Sequence, residues 1–166
     1  HSHVATGKVK VVTRETAREI RNVWHRKGEC VGFANGCFDI LHPGHLALLH
    51  RARGSCDRLI VGLNSDASVQ RLKGTGRPAQ REGDRAKILA ALSDVDLVVI
   101  FEEDTPELLI QELAPDLLVK GADYKRKDVV GGDFVEEIGG KVLLVELESG
   151  YSTSDTIAKI VGSHDG

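Results

Sequence analysis

A pair of histidines at the start of a predicted helix has the residue types and the spacing to bind phosphate. His42 and His45 are separated by Pro43 and Gly44, and they follow an apolar run at residues 30–34. Proline suits the first helical position because its missing N–H group costs nothing there, and glycine lets a ligand approach the backbone closely. The free N–H groups and the positive dipole end of a helix start favour an anion, to which two imidazoles add donors. The pattern predicts a binding site for nucleotide phosphates.

Other interpretations of this stretch stay open. The two histidines could be one surface residue and one helix cap, or half of a metal site. No H-E-x-x-H motif or neighbouring cysteine ligand completes a metal site, so no protein ligand for a metal is assigned. Cys37 lies in the same loop and could be a nucleophile, but no base accompanies it in sequence, and we expect a packing role.

Polar and glycine residues also follow other predicted strands. Lys120 ends an apolar strand and precedes Gly121, so we expect its side chain in the same crevice, with Asp123 and Tyr124 at the rim. Asp123 could instead form a turn. Asn64 directly follows another predicted strand and is a candidate substrate contact, although the serine and aspartate after it could simply cap a helix.

Basic residues lie between two predicted helices. Residues 73–78 form a glycine-containing basic loop, which is not a P-loop because Lys73 precedes the glycines and no G-K-[ST] follows. A mobile lysine suits closure over a triphosphate, and the alternative is a solvated connection. Arg77 and Arg85 are candidate substrate contacts, but Arg85 begins a helical run and could equally lie on the surface.

A hydroxyl-rich stretch precedes the last predicted helix. It contains Ser152, Thr153 and Ser154. These hydroxyls could cap that helix, or they could wrap phosphate oxygens together with backbone N–H groups.

The alternation of apolar runs and helical patterns predicts the elements that position these residues. Strands are predicted at 31–35, 58–63, 97–101, 117–120 and 142–146, and helices near 14–26, 44–53, 67–71, 82–92, 106–113, 133–138 and 154–161. Strand–helix alternation indicates right-handed βαβ units and a parallel sheet covered on both faces. We therefore expect a single α/β domain with a Rossmann-like, doubly wound, five-stranded parallel sheet of order 3-2-1-4-5. In such folds ligands bind at the carboxyl ends of strands, where the strand order reverses.

Composition excludes several classes of protein. The chain has 166 residues with 41% hydrophobic and 4% aromatic content, which suits one aliphatic core. A net charge of −3 argues against a nucleic-acid partner, and no apolar run or signal peptide indicates a membrane. Three cysteines without C-x-x-C spacing favour a reducing, cytoplasmic location. We expect residues 1–27 to comprise an expression-tag remnant and an N-terminal helix, and 28–162 to form the functional domain.

Two motifs together carry a family resemblance. Residues 36–45 read G-x-F-D-x-x-H-x-G-H, and residues 150–154 read G-x-S-T-S. The pair resembles the cytidylyltransferase-like nucleotidyltransferases, and the stretches 71–74, 101–106 and 115–124 resemble most closely the D-glycero-β-D-manno-heptose 1-phosphate adenylyltransferases of lipopolysaccharide core biosynthesis. Leu147 stands where glycerol-phosphate cytidylyltransferases carry an arginine, which favours adenylyl over cytidylyl transfer. Because no sugar kinase domain precedes this one, we expect a stand-alone transferase.

The resemblance implies a reaction and a role for each motif residue. ATP and a heptose 1-phosphate would give ADP-heptose and pyrophosphate, with Mg²⁺ bridging the ATP phosphates, in an enzyme that forms a homo-oligomer. His42 and His45 would steady the α-phosphate while Lys73 closes over the phosphates. The remaining implied nucleotide contacts are Gly36, Cys37, Phe38, Asp39, Gly44, Lys120, Gly121, Asp123, Tyr124, Ser152, Thr153 and Ser154.

Three rival functions share parts of this pattern. The nearest is a nucleotidyltransferase for another phosphorylated alcohol, such as a glycerol 3-phosphate cytidylyltransferase. The second is a non-catalytic nucleotide-binding module, because a fold alone does not fix an activity. A fragment of a class I aminoacyl-tRNA synthetase is disfavoured by the short, acidic chain.

Overall fold

The computed structural model describes residues 10–146 of the chain. Within this range six strands form one sheet, and every neighbouring pair is parallel. The strands are β1 (Val11–Val12), β2 (Val31–Gly36), β3 (Arg58–Asn64), β4 (Leu97–Phe101), β5 (Leu117–Gly121) and β6 (Lys141–Val145). The order across the sheet is β1-β4-β3-β2-β5-β6.

This order confirms the α/β class and the parallel sheet, but the prediction of five strands was wrong. The predicted order 3-2-1-4-5 describes β4-β3-β2-β5-β6 and omits the edge strand β1. Strand β1 has two residues, paired with Val98 and Val99 of β4, and so short a strand has no periodicity to detect. From β2 the chain proceeds to one side through β3 and β4, and then returns to the other side of β2 as β5. The strand order therefore reverses between β2 and β5, where open α/β sheets bind ligands.

Helices connect the strands within the described residues. They are α1 (Arg14–Arg26), α2 (Pro43–Gly54), α3 (Asp66–Lys73), α4 (Glu82–Ala90), α5 (Glu107–Leu113) and α6 (Gly132–Glu137), with a 3₁₀ turn at Arg126–Asp128. None of these helices is long and apolar enough to cross a membrane.

Both faces of the sheet are covered, as the aliphatic strands predict. Adjacent strand residues point to opposite faces: Ile60 packs in one buried cluster, which contains residues of α1, α5 and α6, and Val61 in a second, which contains residues of α2 and α4. The chain preceding Gly28 contributes to the first cluster through Ala17 and Trp24, which are buried. The helix preceding β2 therefore packs into the core.

Candidate functional site

A cleft of about 310 Å³ opens where the strand order reverses. We call it the candidate cleft, and six of the predicted site residues line it: Gly36, Cys37, Asn64, Lys73, Lys120 and Tyr124. They come from the ends of β2, β3 and β5 and from the end of α3. The rule that ligands collect at strand carboxyl ends therefore located this cleft from the sequence.

Part of the cleft wall was missed by sequence reasoning. Asp104, Thr105 and Pro106 line the cleft and follow β4, so the same rule, applied to the third predicted strand, identifies them. Leu72 and Val130 also line it and are 51% and 37% exposed. Apolar residues in these positions look like ordinary surface residues in sequence, and no signal distinguishes them.

The two histidines lie together at the start of α2. Their ring centroids are 3.9 Å apart with planes inclined by 35°. The Nδ1 atom of His42 accepts from the Gly44 N–H group at 3.1 Å, and the Nδ1 atom of His45 accepts from the His42 N–H group at 3.3 Å. A ring whose Nδ1 accepts carries its proton on Nε2, so this arrangement makes both Nε2–H groups donors. Each imidazole therefore caps the helix through one nitrogen and has donor chemistry at the other.

This geometry corrects one expectation about the helix start. Pro43 has no N–H group, the Gly44 N–H binds His42 Nδ1, and the N–H groups of His45 and Leu46 bind the His42 carbonyl oxygen at 2.9 and 3.3 Å. The backbone N–H groups of this first turn are therefore engaged within the protein. An anion here would be bound by imidazole donors and by the helix dipole rather than by those N–H groups.

The loop before the histidines forms a support for their rings. Phe38 has a left-handed φ of +46°, and its ring lies edge-on to His45 with centroids 5.2 Å apart. A Cβ atom at Gly36 would lie 3.0 Å from the Phe38 ring, so the glycine makes room for that ring. The Phe38 ring therefore packs against His45, although His42 and His45 are not themselves among the residues that line the candidate cleft.

Asp39 is fully buried, and its carboxylate is held by one segment of the chain. Its oxygens accept hydrogen bonds from Arg77 Nε, from the Ala79 N–H group at 2.7 Å and from the Gln80 N–H group at 3.3 Å. Burial opposes ionisation of this carboxyl most strongly, but the three donors and the Arg77 charge outweigh it and lower the pKa of Asp39. The residue that was expected to contact nucleotide is thus ionised and bonded to protein donors.

Arg85 has a structural position that the sequence did not indicate. It is 1% exposed, and its guanidinium donates to the carbonyl oxygens of Cys37, Asn64 and Gln80 and to the Asp66 carboxylate. The surface position is wrong, because the side chain is enclosed and bonded to protein oxygens, and the role as a substrate contact stays a prediction. Arginine can be buried this way because its planar fork serves several acceptors at once.

Lys120 and Tyr124 form the wall of the cleft beside β5. The Lys120 Nζ atom lies 4.6 Å from the centroid of the Tyr124 ring, a cation–π distance. Burial lowers the pKa of Lys120, against the smaller raising influence of Asp123 and Cys37. Burial likewise raises the pKa of Tyr124, so the phenol keeps its proton at neutral pH. This wall of the cleft therefore presents the half-buried Lys120 cation against the face of the Tyr124 ring.

The remaining predicted residues have varied positions. Asp123 is exposed, and a Cβ atom at Gly121 would lie 2.7 Å from its Oδ1 atom, so the glycine lets this carboxylate approach the backbone. Ser152, Thr153 and Ser154 lie outside the described residues. Within residues 10–146 no group of three histidine, cysteine or acidic side chains could hold a metal ion.

Comparison with known proteins adds independent findings. A family model described as cytidylyltransferase-like matches residues 33–161. The chain is 58% identical over 157 residues to the bifunctional protein HldE of Paramagnetospirillum magneticum, covering 95% of this chain and 32% of that protein. It is 60% identical over 153 residues to the bifunctional protein HldE of Rhodospirillum rubrum, covering 92% of this chain and 31% of that one. The chain thus spans about a third of the length of these relatives.

Two solved structures have folds similar to that of this chain. The crystal structure of the lipopolysaccharide core biosynthesis protein from Thermoplasma volcanium matches with a TM-score of 0.60 at 26% identity, covering 73% of this chain and 98% of that one. A pantoate–β-alanine ligase from Francisella tularensis matches with a TM-score of 0.59 at 17% identity, covering 84% of this chain and 67% of that one. The second likeness concerns the fold alone.

Proposed function

This chain belongs to the cytidylyltransferase-like family, and we propose that it transfers the AMP group of ATP to D-glycero-β-D-manno-heptose 1-phosphate. The products are ADP-heptose and pyrophosphate. The observation that carries the proposal is the imidazole pair His42 and His45, whose Nδ1 atoms cap a helix beside the point of strand reversal. Support for the sugar phosphate comes from the high identity to HldE proteins and from the fold shared with a lipopolysaccharide core biosynthesis protein.

The chemistry asks little of the protein beyond position and charge. An oxygen of the sugar phosphate bonds to the α-phosphorus of ATP, and the bond from that phosphorus to the α–β bridging oxygen breaks with its electron pair going to pyrophosphate. The attacking oxygen already belongs to an anion, so no general base is needed. Negative charge develops on the α-phosphate oxygens, and the Nε2–H donors of His42 and His45 stabilise it.

Two lysines on different walls of the candidate cleft are assigned to the negative charges that the histidines do not contact. Lys73 ends α3 and Lys120 lies in β5, and both line the cleft. We assign Lys73 to the β- and γ-phosphates and Lys120 to an anionic group at the opposite side. The hydroxyls of Ser152, Thr153 and Ser154 complete the proposed triphosphate contacts.

The carboxylates of the candidate cleft suit Mg²⁺ that enters bound to the nucleotide phosphates. The cleft offers the carboxylates of Asp104 and Asp128, but Asp104 pairs with Arg71 at 2.8 Å, which leaves Asp128 as the carboxylate suited to accept from an ion-bound water. When bound, the ion would neutralise phosphate charge while keeping several waters.

A homo-oligomer is a further part of the proposal. Ile40, in the loop before α2, and Leu46, in the first turn of α2, are 59% and 43% exposed, and such apolar side chains suit a subunit contact. Light scattering that gives a mass above that of one chain supports it, and a monomer at all concentrations contradicts it.

Pyrophosphate release tests the proposed activity. The assay combines ATP, CTP or GTP with D-glycero-β-D-manno-heptose 1-phosphate, its α anomer or glycerol 3-phosphate. We expect release with ATP and the β anomer. Faster release with CTP and glycerol 3-phosphate would replace the proposal by its nearest rival, and nucleotide binding without release from any pair would favour a non-catalytic module.

A further inference from the structure

Asp39 links two loops that are far apart in sequence. It lies three residues before His42, and its hydrogen-bond donors belong to residues 77–80, which follow Lys73. All three donors reach a carboxylate that is 0% exposed. The segment that follows Lys73 is therefore hydrogen-bonded to the loop that precedes the histidines.

Arg85 also connects the Asp39 loop with residues 77–80, and we call this contact between the two loops the junction. Its Nη1 atom donates to the Cys37 carbonyl oxygen at 2.6 Å, and its Nε atom donates to the Gln80 carbonyl oxygen at 3.0 Å. The Gln80 carbonyl oxygen thus accepts from Arg85, and the Gln80 N–H group donates to Asp39. The two loops are connected through both polar groups of one peptide residue.

We propose that Asp39 is a positioning residue, which acts through Arg77 to place Lys73 relative to His42 and His45. This inference rests on the proposed function for its catalytic consequence. It replaces the expectation of a nucleotide contact, because a fully buried carboxylate with three protein donors has no surface to offer a ligand.

An amide at this position disrupts the junction with little change in size. In Asp39→Asn one oxygen can still accept from the Ala79 and Gln80 N–H groups, but the new NH₂ group faces Arg77 Nε, and two donors then oppose each other. Arg77→Gln removes the same ion pair from the opposite partner. If both substitutions act through one contact, their effects are not additive.

The test measures kcat, both KM values and backbone hydrogen exchange of residues 74–81 in the wild type, the two variants and the double variant. The matched control is Asp94→Asn, which removes a carboxylate paired with His50 on another part of the surface. Displacement of catalytic groups by about 1 Å can cost ~10²-fold, so we expect kcat to fall by about 10- to 100-fold in each variant. The KM for ATP should stay within about threefold, and the double variant should be no slower than the slower single variant.

Other outcomes overturn the inference. A raised KM for ATP with unchanged kcat would make Asp39 a nucleotide ligand, and faster exchange with unchanged kcat would make it a fold-stabilising residue without a catalytic consequence. Multiplying losses in the double variant would also contradict it. If Asp39→Asn does not fold, Arg77→Lys, which keeps the charge but loses the Nε geometry, is judged by the same criteria.

The two proposals can fail separately. A wild-type protein without turnover overturns the proposed function. The positioning role of Asp39 is then tested by backbone hydrogen exchange measured with and without the analogue α,β-methylene-ATP. Slower exchange of residues 74–81 on addition of the analogue in the wild type, but not in Asp39→Asn, supports the inference. Equal slowing in both, or no slowing in either, contradicts it.

Discussion

The two ends of the parallel strands use charged residues in opposite ways. We call the side of the sheet where the strands begin the amino edge and the side where they end the carboxyl edge. At the amino edge, Asp57, Asp96 and Asp116 each directly precede a strand and accept the N–H group at the start of a neighbouring strand, with distances of 2.7, 2.7 and 2.9 Å. Asp96 also pairs with Arg53 at 3.0 Å and with Arg58 at 3.8 Å. These carboxylates complete hydrogen bonds that the ends of the strands would otherwise lack.

At the carboxyl edge, polar side chains line the candidate cleft. Lys73 and Lys120 line it from different elements, and His42 and His45 lie at the start of α2, which follows β2 in the chain. The same fold thus satisfies polar groups internally at one edge and gathers them around a cavity at the other. Substitutions at the amino edge should therefore change stability, and substitutions at the carboxyl edge should change turnover.

The largest effect is expected for His45→Ala. Removing one preorganised donor to a developing oxyanion typically costs about 3–4 kcal/mol, or ~10²–10³ in kcat. Loss of the helix cap should lower the free energy of unfolding by only about 1 kcal/mol. Pyrophosphate release and urea unfolding measure the two effects, and a folded variant that turns over at the wild-type rate contradicts the assignment.

Lys120→Met is expected to have the next largest effect. Loss of a charge-assisted contact to a phosphate should lower kcat/KM by about 10- to 100-fold. Because burial lowers the pKa of Lys120, the cation is lost as pH rises through that lowered value, so the alkaline fall of kcat/KM should begin below the ordinary lysine range. Lys120→Arg, which stays charged, should move this fall to higher pH. An unmoved alkaline limb would show that another group controls it.

Asp96→Asn tests the amino edge. The Leu59 N–H group keeps an acceptor, but the charge that Arg53 and Arg58 share is lost, so the free energy of unfolding should fall by about 1–3 kcal/mol. The kcat of the folded variant should stay within about twofold, since this edge lies at the opposite end of the strands from the cleft. A tenfold loss of kcat at unchanged stability would end the proposed division between the edges.

The smallest effect concerns the cysteines. Burial raises the pKa of Cys56 to about 11, so at pH 8 only about 10⁻³ of it is thiolate, the reactive form. Cys37 lines the candidate cleft. Iodoacetamide at pH 8 should therefore label Cys56 slowly. Cys37 is 5% exposed, so the reagent reaches it through the cleft, and ATP should slow its labelling while leaving that of Cys56 unchanged. Peptide mass spectrometry follows both residues, and labelling of Cys37 that ATP does not slow contradicts this expectation.

The sequence predicted features set by local interactions better than features set by contacts between distant residues. Aliphatic runs located β4 at the predicted residues 97–101, because burial on both faces leaves a local pattern. The helix start at His42 was likewise visible, since proline and glycine act locally. The site of Arg85 was not, because its acceptors lie up to 48 positions away and an arginine in a helical run resembles a surface residue.

Asp39 illustrates the same limit within a recognised motif. The family pattern marked it as part of the site, yet its donors lie 38 to 41 positions further along the chain. The pattern therefore indicated that the residue matters without indicating what it contacts.

The most direct measurement is a crystal structure of the protein with α,β-methylene-ATP. The account predicts that an α-phosphate oxygen lies within hydrogen-bond distance of the Nε2 atom of His42 or His45, with the triphosphate extending towards Lys73. A nucleotide bound elsewhere, or with its α-phosphate remote from both imidazoles, would contradict it.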